Sequence, residues 1–128
     1  LPISAAQAFL EKALALYGQF DSFWRRPTLN SYLALTLVEN RNLPAARRHL
    51  LAAQKYMWQM KNPSDQGSVF FSQALIRTLA DREPDVGRFF DEILPDSALD
   101  YGRLALKHLS RWLDRPEINS LRRLFPEL

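Results

Sequence analysis

Apolar residues recur at intervals of three and four along most of this chain, and proline, glycine and asparagine punctuate them. Ala6, Phe9, Leu10, Ala13, Leu14 and Tyr17 form a first stripe, the spacing at which side chains share one helix face. Ser4 can accept a bond from an orphan backbone N–H, and Gly18 can end a helix in the left-handed conformation, so the pattern predicts a helix over 4–17. The densest pattern spans 29–56. Pro27 favours a helix starting just after it, predicted over 28–40. Leu29, Leu33 and Leu37 line one side of it, and Tyr32, Leu35 and Val38 another. A helix apolar on two sides is packed on two sides. Asn40-Arg41-Asn42 is a break too short for anything but an antiparallel hairpin, and Pro44 suits the first turn of a helix over 44–60. Ala46, Leu50, Ala53, Met57 and Met60 make its inner stripe, and Arg47, Arg48, Gln54 and Lys55 lie opposite.

The second half continues in the same manner. The stretch 62–68 (NPSDQGS) is the clearest loop signal in the chain. A helix over 67–82 carries Phe70, Phe71, Ala74, Leu75, Thr78 and Leu79. Pro84 opens a short helix over 84–94, and Pro95 closes it. Asp96 or Ser97 caps a helix over 97–114, and a last helix covers 117–124. The predicted fold is therefore all-α, a single domain over 1–128, with about seven helices whose short connections force antiparallel neighbours. The connection 18–27 holds Phe20, Phe23 and Trp24 beside Arg25 and Arg26. These aromatics either plug the gap between helices or form an aromatic–arginine lip on a binding groove.

A spacing of 40 residues links Ala6, Ala46 and Val86, then Leu10, Leu50 and Phe90, then Ala13, Ala53 and Ile93. Small residues let two helices approach, and the large residue one turn on fills the space beside them. With Leu33-Ala34, Leu37 and Leu43 in the preceding helix, this pattern resembles the tetratricopeptide repeat family, in divergent form. Leucines replace that family's aromatic residues, Ala34 stands where it has glycine, and the spacing is longer. The resemblance implies a superhelical stack of helix hairpins. Its first helices would line a concave groove that takes extended or helical peptides. On that basis Ser31, Leu35, Val38 and Glu39 would line the groove from the second helix, and Ser68, Phe71, Leu75 and Thr78 from the fourth. Arg103 and Lys107 would line it from the sixth, with Trp24 and Arg25 at its lip. Thr28, Ser31 and Leu35 do not reproduce the family's chaperone-binding carboxylate clamp.

Composition narrows the partners. A formal net charge of +3 is weak for a duplex-binding surface, so nucleic acid is disfavoured. The arginine pairs Arg25-Arg26, Arg47-Arg48 and Arg122-Arg123 leave an anionic polymer open beside a protein or peptide partner. No apolar run approaches the roughly 20 residues of a membrane span, so direct membrane insertion is not expected. Cysteine is absent, which removes thiolate chemistry. Neither His49 nor His108 has an HExxH partner, and no phosphate-cradling glycine motif occurs. Neither metal nor cofactor is expected, and the acidic pairs Asp91-Glu92 and Asp81-Glu83 read as solvated helix ends rather than as general acid and base. The chain starts with Leu and on what reads as a lone second helix. It is thus expected to be a piece of a longer, bacterial-looking protein, its first helix exposing Phe9, Leu16 or Tyr17. Two functions fit: a protein-interaction scaffold, as in a secretion or polysaccharide-export system, or a ligand-sensing arm of a transcription regulator. An enclosed pocket would favour the second, an open groove the first.

Overall fold

A computed structural model describes residues 3–19, 26–60, 63–111 and 115–128. They form seven α-helices: α1 (Ile3–Gln19), α2 (Arg26–Glu39), α3 (Leu43–Met60), α4 (Pro63–Arg82), α5 (Pro84–Phe90), α6 (Ala98–Leu109) and α7 (Pro116–Leu124). No strand occurs among the described residues. The chain is all-α, as its periodicity predicts.

The α2–α3 hairpin turns through a Schellman arrangement. Asn42 N–H donates to Leu37 O at 2.8 Å, and Arg41 N–H to Val38 O at 3.0 Å. Arg41 occupies the left-handed position, with φ 63°, that glycine usually fills. Its guanidinium meets Glu83 at 2.5 and 2.8 Å, which ties this turn to the start of α5.

Helices α2 and α4 form the inner layer. Helix α2 packs between α1, α3 and α4, while α4 touches every helix from α2 to α7. This explains their lack of a single apolar face. In α2, Leu33, Ala34, Leu37 and Val38 are all buried. In α4, buried residues run almost continuously from Gly67 to Ala74. On α3, Ala46, Leu50 and Ala53 are fully buried, the small–large–small stripe seated against its neighbours. Each leucine so buried contributes on the order of 2 kcal/mol.

Three element boundaries differ from the sequence pattern by more than two residues, and α1 runs through Gly18, the expected stop, to Gln19. The loop expected over 62–68 is instead, from Pro63 on, the opening of α4. Its loop-forming residues serve packing: the Thr28 hydroxyl donates to the Asp65 carboxylate. A Cβ on Gly67 would stand 2.6 Å from Leu109 Cγ, so glycine there sets how closely α6 approaches. Helix α5 ends at Phe90 rather than 94, and past that end Arg77 on α4 meets the Asp91 carboxylate at 2.9 Å and the Leu94 carbonyl at 3.1 Å. Helix α6 stops at Leu109, with Ser110 donating its hydroxyl to Lys107 O at 3.1 Å. Its N-cap is Ser97, whose oxygen accepts from Asp100 N–H at 3.1 Å.

Candidate functional site

The shortness of α5 leaves a concavity beside it. Helix α3 has 18 residues and α5 only seven. At 1.5 Å per residue, α5 is about 16 Å shorter than α3. Helix α5 therefore covers only the C-terminal part of α4. The N-terminal half of α4, the end of α3 and the flank of α6 face one another across a cleft of about 700 Å³. Met57, Trp58, Phe70 and Leu104 give it apolar walls, and Gln73, Tyr101 and His108 supply polar groups. Pro95 and Asp96, from the α5–α6 connection, form one rim, which Gln54 holds by donating to Ile93 O at 3.3 Å.

Each polar group has a defined state. Gln73 is 3% exposed, and its Oε1 is buried without a hydrogen-bond partner. Such a group costs about 1–3 kcal/mol relative to a satisfied one. Tyr101 Oη accepts from Asp96 N–H at 3.2 Å. Burial raises the Tyr101 pKa, so the phenol stays neutral and keeps an O–H hydrogen to donate. His108 Nδ1 lies 2.9 Å from Leu104 O, a carbonyl that can only accept, so the contact is a hydrogen bond when Nδ1 carries the proton. The ring stacks obliquely on Phe70, with centroids 5.3 Å apart. Trp58 stands at the rim, 61% exposed. The arrangement suits an apolar or aromatic anchor that also exchanges hydrogen bonds with an amide, a phenol and an imidazole.

The sequence-predicted groove residues do not converge here. Trp24 and Arg25 lie outside the described residues. Ser31 is fully buried, with its hydroxyl donating to Thr28 O at 2.8 Å, so it offers no open surface. Leu35 is half-buried against the core, and Glu39 is exposed at the end of α2. Phe71 is buried, and Thr78 donates its hydroxyl to Ala74 O at 2.8 Å. Phe71 and Leu75 border a recess shared with α7, whereas Arg103 and Lys107 are exposed on a different flank, beside Glu127. Arg103 lies 3.4 Å from Asp100.

Sequence reasoning missed Trp58, Gln73, Tyr101 and the cleft role of His108. The signal in the sequence was no more than the brevity of the predicted 84–94 element, which does not say what that element leaves uncovered. Among the described residues no group of three or more His, Cys, Asp or Glu side chains could hold a metal ion. No helix among them is long and apolar enough to cross a membrane. No protein-family model, curated protein or solved structure matches the chain.

Proposed function

We propose that this chain is a non-catalytic interaction module, a divergent tetratricopeptide-like stack, that holds a short segment of a partner protein in the α3–α4–α6 cleft. The observation behind the reading is Trp58, mostly exposed at the mouth of an apolar cleft. Leaving a large aromatic in water forgoes roughly 1.5–3 kcal/mol of burial. Tryptophans beside a few convergent polar groups are frequent anchors of protein interfaces. The cleft opens to solvent along Trp58, which suits a chain segment better than an engulfed effector, so the sensing-arm alternative draws no support from it. Asp96 is the one formal charge among its described lining residues. That arrangement favours a neutral or basic segment over an anionic polymer.

The test is a display selection of short random peptides on the whole chain. Enriched peptides should share an aromatic or aliphatic anchor. Trp58→Ser should weaken them by roughly tenfold or more, equivalent to ~1.4 kcal/mol, with helical content unchanged by circular dichroism. Peptides that bind Trp58→Ser as well as the parent would sink the proposal.

A further inference from the structure

The rim of the cleft carries a carboxylate that the fold leaves without a counterion. From Asp81 to Glu117, every other described acidic side chain lies 2.5 to 3.8 Å from an arginine. Asp96 makes no such pair among the described residues, and its exposed side chain stands beside the cleft while its backbone N–H is bound to Tyr101 Oη. Arg77 is committed to Asp81, Asp91 and the Leu94 carbonyl. Lys55, one turn before Trp58, keeps its ammonium over the Tyr56 ring, 5.8 Å from the centroid. The same cleft is bordered by the exposed Trp58 ring and by Gln73, whose Oε1 has no hydrogen-bond partner. An indole face, a carboxylate and a spare amide oxygen all favour a donor that carries positive charge.

We propose that the segment held in this cleft carries an arginine beside its apolar anchor. This deepens the peptide-binding reading and rests on it. The guanidinium pairs with the Asp96 carboxylate at the rim and lays its flat face on the Trp58 ring, while its methylenes follow the apolar wall. Arginine suits the place better than lysine. Its planar fork can meet a carboxylate in the plane and stack on an aromatic ring at the same time, whereas an ammonium is a hydrated point charge. The rival role for Asp96 is local. It stands one residue before Ser97, the N-cap of α6, where negative charge complements the helix dipole. Asp100 already supplies that charge in the first turn, and a purely local role would leave binding independent of Asp96.

The test uses the whole chain and short peptides enriched from a random display library. Enriched sequences should carry arginine next to the anchor or one position from it. One such peptide is then remade with citrulline, which keeps the shape of arginine and removes its charge. Citrulline should weaken binding to the wild type about tenfold, through loss of both the ion pair and the cation–π contact. Asp96→Asn should weaken the arginine peptide about threefold or more. The citrulline peptide should bind wild type and Asp96→Asn equally, which isolates the pair from other effects of the substitution. Lysine in place of arginine should recover only part of the affinity. The proposal is overturned, with the cleft reading intact, if the peptides weaken on Trp58→Ser but carry no arginine, or if citrulline or lysine serves as well as arginine. Asp96→Asn that lowers the urea midpoint and leaves peptide affinity unchanged would assign the carboxylate to α6 and also overturn it. A selection that enriches nothing, or peptides indifferent to Trp58→Ser, would overturn this proposal and the peptide-binding reading together.

Discussion

Single atoms decide several of the close contacts. Gly67 lies so near Leu109 that a Cβ there would sit 2.6 and 2.7 Å from its Cγ and Cδ2, and Leu109 is fully buried. Gly67→Ala is expected to cost about 1–3 kcal/mol in urea unfolding, despite the better helix propensity of alanine. A gain in stability would mean that α6 does not seat where described. His49 is half-buried on α3, its Nδ1 2.9 Å from Asn30 Oδ1 on α2. Burial, then the nearby Arg48, lowers its pKa below the usual value near 6.5, and Glu11 on α1 opposes them. A depressed folded-state pKa means the unfolded chain takes up the proton first. This contribution to stability is therefore complete above about pH 6.5 and is lost as pH falls through the folded value. Between about pH 7 and pH 5 the wild-type urea midpoint should fall, and His49→Gln should flatten that part of the curve. An identical slope in both proteins would rule His49 out as the cause.

At the scale of the element, helix identity follows the apolar stripe. The Ala46, Leu50 and Ala53 stripe on α3 is fully buried. Ala46→Glu would put a carboxylate between packed helices with no partner, a cost of several kcal/mol that is comparable with a domain's whole stability. The variant is expected to lose its cooperative thermal transition by circular dichroism. Arg77 meets the segment that follows α5. Burial works against its charge, but the hydrogen bonds it donates to Asp81 and Asp91 outweigh this and raise its pKa, so the guanidinium stays charged although little exposed. Through Asp91 and Leu94 it holds the turn past the end of α5. The periodicity of Val86 and Phe90 marks an α5 helix, but nothing local to 84–94 indicates that Arg77, several residues upstream, would meet it there.

At the scale of the molecule, stability is graded from the inner layer outward. Helix α1 packs chiefly on α2, and its Phe9 is 67% exposed. Helices α2 and α4 are enclosed on several sides. Hydrogen exchange is expected to find α1 opening well below the global unfolding free energy, with α2 and α4 exchanging only on global unfolding. Uniform protection across α1, α2 and α4 would contradict that order.

The all-α class, the α2–α3 hairpin and the inward stripe on α3 were legible from sequence alone. Helical periodicity and a three-residue break are local properties, carried by residues such as Leu50 and Asn42 themselves. The candidate site was not legible, because it consists of what is missing. Trp58, Gln73 and His108 come together only because α5 is too short to cover α4. Ser31 and Phe71, groove residues by the tetratricopeptide resemblance, are buried because α2 and α4 have neighbours on more than one side. A helix face becomes a surface or a core according to what packs on it. That depends on residues distant in the chain, Arg77 at the end of α5 and Arg115 with Glu117 at the start of α7, and only the tertiary structure brings them to bear.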